Sequence, residues 1–352
     1  MRQFFKTLFI KWLGLNNEHI EIEDRIKKAI YIRKNSVNDF FGGWNESDLE
    51  LLKNYQQVDN VTTQPGEIVD WIGVKTDAKM HAWLNMPENR LTISSLPVPD
   101  DQIHAETIEY IALVVALERA LIHGKQKFTA LELGASYAPW VIAAGVLSQR
   151  AQFNEINLLA VEANRDMASK ILEHAGRNNL LQQENTKVEA IHGAIYLKDE
   201  SVYFPKVDVK DDNGAQIRLN NNEGKDYRGL KLEHDVVKGY SLKTLTANYS
   251  RIDLLHMDVQ GAEQMLLNDK EFLETLDKRV ATLFLATQSR LIEGIALKNL
   301  AGMGWQLLRE RPTMYLQNSR TQDINGWTLR DGGQLWINPN FGTTSVVQVE
   351  SI

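Results

Sequence analysis

Three short apolar runs of this chain end in carboxylate side chains, two of them with a glycine close by. Glu132 and Gly134 close the run that begins at Phe128, Glu162 closes the next run, and Asp258 closes a third that lies far along the chain. In a parallel sheet, ligands bind outside the carboxyl ends of the strands. We therefore expect these acidic groups to contact a ligand rather than to hold the core together.

The position of each carboxylate suggests a particular chemistry. Glu162 can accept hydrogen bonds from both hydroxyls of a ribose, although an acid near a helix N-terminus also favours the helix dipole. Asp258 can serve as a general base toward a hydroxyl, help to hold a metal, or orient a cation; the alternative is a cap for the helix that follows Ala262. His256 shares a strand face with Asp258, and a core role for it is at least as well supported as a catalytic one.

The loop after the first strand lacks the signature of a dinucleotide site. That signature is G-x-G-x-x-G, whereas here only Gly134 precedes the helix, and Ser136 and Ala138 occupy positions where further glycines would stand. A pyrophosphate cradle is therefore poorly supported, which counts against a nicotinamide-dependent oxidoreductase. A nucleoside cofactor without such a cradle remains, and S-adenosylmethionine is the common molecule of that kind.

The elements around these residues alternate between strand and helix from Phe128 onward. Apolar runs predict strands at 128–134, 156–163, 188–195, 252–259, 280–287, 305–309 and 334–337, and helical periodicity predicts helices at 140–150, 166–178, 262–276 and 291–303. Such alternation is typical of a doubly wound, mainly parallel α/β sheet with helices on both faces.

The rest of the chain divides into a preceding region and an insert. The sequence pattern of residues 1–100 predicts a mostly helical appendage, with a helix start at 45–48 and a hairpin within 68–83. A stiff connector at 96–101 marks the boundary of a main domain at 101–352, which opens with a helix near 104–120. A polar insert at 208–234 interrupts this domain, and loops of that length are often lids.

Composition narrows the classes of function. The 352 residues are 43% hydrophobic, carry a net charge of −7, and show no block of Lys and Arg, so a nucleic-acid partner is not predicted. Cysteine is absent, which excludes disulfides, thiolate zinc sites and a cysteine nucleophile, and agrees with a cytoplasmic location. No apolar run approaches the ~20 residues of a membrane span. Residues 1–15 predict an amphipathic helix that packs on the protein, or alternatively a weak membrane-surface contact.

Several motifs, in this order and spacing, resemble a bacterial subgroup of the FkbM-type S-adenosylmethionine-dependent methyltransferases. They are L-E-L-G-A-S-Y-A-P-W at 131–140, V-E-A-N at 161–164, H-G-A-I at 192–195, I-D-L-L-H-M-D-V-Q-G-A-E at 252–263, A-T-Q-S-R-L-I-E-G at 286–294 and G-W-Q-L-L-R-E-R-P at 304–312. With a P-x-P-D-D…H-A-E-T-I-E segment from Pro97 to Glu109, the resemblance covers about two-thirds of the chain.

The resemblance implies a Rossmann-like methyltransferase domain and a set of cofactor contacts. Glu132, Gly134, Ala135 and Ser136 would contact the methionine portion, Glu162 with Ala163 and Asn164 the ribose, and Ala194 and Ile195 the adenine, while Asp258 would lie near the transferable methyl. The family mostly methylates hydroxyl oxygens of sugars and natural products. The implied reaction is O-methylation of a small acceptor, with a saccharide as the first expectation, and without a required metal.

The chain departs from the family pattern at two positions that bear on catalysis. Gln288 stands where the subgroup often has histidine, and Gln260 stands where glutamate is usual. Asp258 is therefore the leading candidate for the base, with His256 or His104 assisting. These departures also support an alternative, a catalytically inactive fold that serves as an interaction module through its N-terminal helices. The oligomeric state is not predicted.

Overall fold

A computed structural model describes residues 42–57, 63–81, 91–101, 105–124, 126–206, 233–317, 319, 322 and 324–342. His104, residues 1–15 and nearly all of the predicted insert 208–234 lie outside the described residues. None of the helices in these ranges combines the length and hydropathy needed to cross a bilayer.

The helix start predicted at residues 45–48 is present in the structure. Asn45 caps this helix by accepting from the Asp48 N–H at 3.1 Å, and the Asp48 carboxylate accepts from the Asn45 N–H at 2.8 Å. A small sheet follows, in which the predicted hairpin forms. Its elements are α1 (Glu46–Lys53), β1 (Glu67–Val69), β2 (Lys75–Asp77) and β3 (Leu91–Thr92).

This N-terminal part shares a hydrophobic core with the main sheet. Leu52, Trp71, Ile72 and Val74 are buried in the same cluster as Phe128 and Ala130. Ion pairs between Arg177 and the carboxylates of Glu67 and Asp77 also join the two parts. The described residues 42–57 and 63–81 are therefore packed onto the main sheet, and the boundary near Pro97 stays a prediction.

The central element is a seven-stranded sheet with the order β12-β15-β11-β10-β4-β5-β6. Its strands are β4 (Lys127–Leu133), β5 (Glu155–Glu162), β6 (Thr186–His192), β10 (Leu254–Met257), β11 (Thr282–Thr287), β12 (Gln306–Arg311) and β15 (Gly332–Ile337). All neighbouring pairs are parallel except the two that involve β15. The predicted doubly wound, mainly parallel sheet is confirmed.

Apolar side chains cover both faces of this sheet because they alternate along each strand. On β4, Phe128 and Ala130 enter one core cluster, whereas Leu131 and Leu133 enter the other. The helices that pack on the faces are α2 (Thr107–Ile122), α3 (Pro139–Arg150), α4 (Arg165–Arg177), α5 (Leu242–Leu245), α6 (Glu263–Leu266), α7 (Lys270–Arg279) and α8 (Arg290–Gly302). Helices on both faces are the expected cover for parallel strands.

Two predicted elements are divided in the structure. The strand predicted at 188–195 ends at His192, and Ala194–Ile195 forms β7 in a separate three-stranded sheet with β8 (Ser201–Pro205) and β9 (His234–Tyr240). Gly193 lies at the break, where a Cβ would sit 2.6 Å from the backbone oxygen of Lys238. The helix predicted at 262–276 is likewise divided, because Asp269 accepts from the Phe272 N–H at 2.8 Å and starts α7. A hairpin, β13 (Met314–Tyr315) and β14 (Thr328–Arg330), precedes β15.

Candidate functional site at the carboxyl edge of the sheet

The Glu132 carboxylate anchors the loop between β4 and α3 at the start of α3. One oxygen of the Glu132 carboxylate accepts from the backbone N–H groups of Trp140 and Val141, at 3.1 and 2.8 Å. Burial raises the pKa of this carboxyl, and the two backbone hydrogen bonds oppose that rise. Ala138 stands at the N-cap of α3 without a side-chain hydrogen bond, so Glu132 supplies the missing acceptor. Glu132 therefore fixes the conformation of the predicted cofactor loop by hydrogen bonds to its backbone.

The same loop is forced into left-handed backbone conformations at three positions. Gly134, Ser136 and Ala138 have φ values of +75°, +50° and +62°, which are uncommon for residues with side chains. The N–H groups of Gly134 and Ala135 both donate to the backbone oxygen of Val161 at 3.0 Å. These bonds tie the loop to the end of β5.

Gly134 also makes the closest approach between the loops that follow β4 and β10. A Cβ at Gly134 would overlap the backbone oxygen of Asp258 and would lie 2.9 Å from its carbonyl carbon. The Asp258 N–H donates to the backbone oxygen of Leu133 at 3.0 Å. Only glycine fits this position, both because of its φ and because of the contact.

Glu162 connects the loops that follow β4 and β5. Its two carboxylate oxygens accept from the backbone N–H groups of Ser136 and Asn164, at 2.7 and 2.6 Å. Burial raises the pKa of Glu162, and the hydrogen bonds from these amides and from the Ala163 N–H oppose that rise. A carboxylate has about four lone pairs, and three backbone N–H groups occupy three of them, so one lone pair can still accept from a ligand hydroxyl.

The predicted adenine neighbours lie directly beyond the end of β6. Ala194 and Ile195 are buried and pair with Gly239 and Tyr240 of β9. The N–H of Gly193 donates to the backbone oxygen of Glu162 at 2.9 Å. Ala194 and Ile195 therefore follow directly after Gly193, whose N–H is hydrogen-bonded to Glu162.

Asp258 is a partly exposed carboxylate without a cationic partner in the described part of the chain. One of its oxygens, Oδ1, accepts from the side-chain amides of Gln260 and Gln288, at 2.7 and 2.9 Å. Burial, and then the carboxylates of Asp331 and Glu109, raise the pKa of Asp258 to about 8. At neutral pH this group is therefore mostly protonated, and it becomes a base only as the pH rises or as a cation approaches.

The turn that carries Asp258 is shaped by Glu263. The carboxylate of this buried residue accepts from the Val259 and Gly261 N–H groups, both at 2.6 Å. It holds a turn in which Gln260 and Gly261 have φ values of +56° and +100°. From the sequence, the position of Glu263 in the first turn of a helix predicts only that it complements the helix dipole. Its hydrogen bonds to the turn at Gln260 and Gly261 are visible only in the structure.

His256 lies deeper in the sheet, away from the edge. Its ring stacks between Trp140 and Phe284, with centroid distances of 5.1 and 4.8 Å. Its Nε2 is 3.3 Å from an oxygen of Glu109, and its side chain is 5% exposed. Burial lowers the pKa of His256 to about 3. These contacts favour the core role over the catalytic one.

Replacement of His256 by phenylalanine tests this core role through the pH dependence of stability. The folded-state pKa of about 3 lies below the unfolded value, so the unfolded state binds more protons in between. The neutral histidine therefore stabilises the fold fully above about pH 6.5, and this contribution is lost as the pH falls toward 3. We expect His256→Phe to remove up to about 1.4 kcal/mol per pH unit from the acid slope of the unfolding free energy, measured by denaturant titration. An unchanged slope would contradict the assignment.

The two glutamines that contact Asp258 stand out in the sequence only as departures from a family pattern. Both follow strand ends at the same sheet edge, which is the signal that groups them with Asp258. In the structure Gln288 is 2% exposed, and its Oε1 has no hydrogen-bond partner. Within the described ranges, no group of three or more His, Cys, Asp or Glu side chains is arranged to hold a metal.

Comparison with known proteins gives one match in sequence and several weak ones in structure. No protein-family model matches the chain. A protein of Jannaschia sp. (strain CCS1) named "Putative methyltransferase" is 26% identical over 258 residues, which cover 72% of this chain and 87% of that protein.

Solved structures match with low scores. The structure of "a putative RNA methyltransferase" from Pyrococcus horikoshii has 12% identity and a TM-score of 0.33. The match covers 67% of this chain and 84% of that one. The precorrin-6y C5,15-methyltransferase of Geobacter metallireducens GS-15 has 11% identity and a TM-score of 0.33, with 66% and 89% covered. These scores are too low to bear on the chemistry of the chain. The chain is a doubly wound, mainly parallel α/β protein with sequence similarity to a protein named as a methyltransferase.

Proposed function

We propose that the chain is an S-adenosylmethionine-dependent methyltransferase whose cofactor lies across the carboxyl ends of β5, β4 and β10. The observation that carries the proposal is the arrangement of Glu162 and Asp258 on opposite sides of the loop at Gly134. Glu162 can accept from a ribose hydroxyl, and Asp258 offers a sulfonium a carboxylate without a cationic partner among the described residues. The similarity to the Jannaschia protein supports the same enzyme class.

The residues of the edge fit this cofactor better than a dinucleotide. Ser136 and Ala138 place side chains in left-handed positions of the loop, where a pyrophosphate cradle has glycines and free amides. The Ser136 N–H is also already bonded to Glu162. We assign the methionine portion to Gly134, Ala135 and Ser136, over Glu132. We assign the ribose to Glu162, Ala163 and Asn164, and the adenine to Ala194 and Ile195.

The bound cofactor supplies an activated methyl group, so the protein must align the acceptor and accept its proton. Asp258 lies at the edge beside the loop at Gly134 and carries the accepting capacity of a carboxylate. We assign it as the general base, oriented by the amides of Gln260 and Gln288. The acceptor that we propose is a small hydroxylated molecule, with a saccharide first, in keeping with the FkbM-type resemblance; a nucleic-acid acceptor is not part of the proposal.

Replacement of Glu162 by alanine tests the cofactor assignment. We expect S-adenosylmethionine and S-adenosylhomocysteine to bind the native protein, and the variant to bind both about 10- to 100-fold more weakly, since hydrogen bonds to a charged group are lost. Isothermal titration calorimetry measures both, and NAD serves as the competing cofactor. Glu173→Gln, which alters an exposed carboxylate on α4, is the matched control.

The other outcomes of this titration separate the alternatives. Binding of NAD in place of the two adenosyl compounds would indicate an oxidoreductase. Absence of binding by the folded protein would instead favour an interaction module, for which the altered Gln260 and Gln288 are the supporting observation.

A further inference from the structure

We infer that Asp258 holds a proton while the sulfonium is absent and releases it when S-adenosylmethionine binds, so that this residue distinguishes the charged methyl donor from the neutral product. The inference rests on the proposed function and adds to it a selectivity between two ligands that differ in one methyl group and one charge. It starts from the surroundings of the Asp258 side chain.

The titratable groups that act on the Asp258 carboxyl are all acids. They are Glu109 of α2, Glu263 of α6 and Asp331 of the segment that precedes β15. The remaining contacts of the carboxylate are with neutral donors, the side-chain amides of Gln260 and Gln288 and the backbone N–H of Gln260, and the Gln260 bonds oppose the rise in pKa. Since burial and the neighbouring acids outweigh these donors, the stable form without a ligand is the protonated one.

Nearby arginines are engaged elsewhere. Arg311 forms an ion pair with Glu106, and Arg330 forms ion pairs with Glu106 and Asp100. In the described part of the chain no Lys or Arg pairs with Asp258. A cation that enters the edge beside Gly134 would therefore be its first partner of opposite charge, and such a partner favours the ionised carboxylate.

The unsatisfied amide oxygen of Gln288 points to the same conclusion by an independent route. Leaving a buried acceptor without a partner costs about 1–3 kcal/mol, and such groups call for an explanation in the native structure. A protonated Asp258 has an O–H to donate, and an acceptor hydroxyl has another. Gln288 can thus accept from either, whereas an isolated ionised Asp258 would offer it nothing.

The proton balance of methyl transfer agrees with this arrangement. The acceptor oxygen forms a C–O bond as the S–C bond breaks, and the electron pair of that bond passes to sulfur. The hydroxyl proton moves to Asp258, which thereby returns to the form that it holds without a sulfonium. The neutral product then faces a neutral acid and lacks the attraction that held the donor, which favours exchange of product for donor.

Calorimetry in two buffers of different ionisation enthalpy, phosphate and Tris, tests the inference at pH 7. With a pKa of about 8 for the free site, most of one proton is available for release. We expect S-adenosylmethionine to release close to that amount and S-adenosylhomocysteine to release none. The Kd of the donor should also fall by up to about tenfold per pH unit between pH 6 and 8, while the Kd of the product stays constant.

Two variants assign the proton to a residue. Asp258→Asn is expected to bind both ligands without proton exchange, and Glu173→Gln is expected to match the native protein. Should Asp258→Asn fail to fold, Asp331→Asn serves instead; it removes one like charge, lowers the pKa of Asp258, and so should reduce the proton release at pH 7.

The outcomes separate this inference from the proposed function. Binding of S-adenosylmethionine with equal heats in both buffers would overturn the inference and leave the methyltransferase assignment intact. Proton release that persists in Asp258→Asn would also overturn it. Absence of donor binding to the native protein would contradict the proposed function itself.

Discussion

Replacement of Gly134 by alanine is expected to weaken cofactor binding by more than about 100-fold. The new Cβ would overlap the backbone oxygen of Asp258, so the loops after β4 and β10 would have to separate. This separation would move the backbone amides that join the loop to Val161 and Glu162. We expect a loss of more than about 100-fold in affinity for S-adenosylmethionine, measured by calorimetry, together with a lower unfolding temperature.

A second glycine separates the contact from backbone strain. Gly304 has a φ of +88°, and a Cβ there would meet nothing within 4 Å. Gly304→Ala therefore carries only the strain of a left-handed residue, about 1–2 kcal/mol, and we expect it to bind the cofactor normally. Equal affinities for the two variants would contradict the close-approach argument, as would normal binding by Gly134→Ala.

Replacement of Asp258 by asparagine is expected to reduce methyl transfer about 10²- to 10⁴-fold, the usual contribution of a general base. The asparagine keeps the size of the side chain but cannot accept the acceptor's proton. The measurement is transfer of a labelled methyl group from S-adenosylmethionine to an acceptor found by screening. Glu173→Gln again serves as the control, because its carboxylate is exposed and lies on α4 away from the edge.

The pH dependence of kcat/KM provides a second test of Asp258 as the base. A base must be deprotonated to act, and the pKa of Asp258 is raised to about 8. The kcat/KM of the native enzyme, which reports the free enzyme, should therefore rise as the pH increases through about 8, and this rise should be absent in Asp258→Asn. A variant with normal cofactor binding and full turnover would exclude Asp258 as the base.

The sequence alone determined the alternation of strands and helices and the acidic residues that lie at the carboxyl ends of three strands. Apolar runs of strand length alternate with helical periodicity from Phe128 onward, and this local pattern depends only on which faces must be buried. Because carboxylates follow directly on those runs, the order of residues is enough to assign Glu132, Glu162 and Asp258 to one edge of a parallel sheet. The absence of a dinucleotide signature is equally local, since it depends on which residues occupy a single loop.

What the tertiary structure alone decided are contacts between residues far apart in the chain. The bond from Gln288 to Asp258 spans 30 residues, and the contact of Gly134 with Asp258 joins loops that no local pattern connects. The reversal of β15, the break at Gly193 and the burial of His256 between Trp140 and Phe284 likewise depend on which strands become neighbours. The charge of Asp258 also depends on the tertiary structure. Its pKa is raised by Glu109 and Asp331, which are distant in sequence and come near it only in the folded chain.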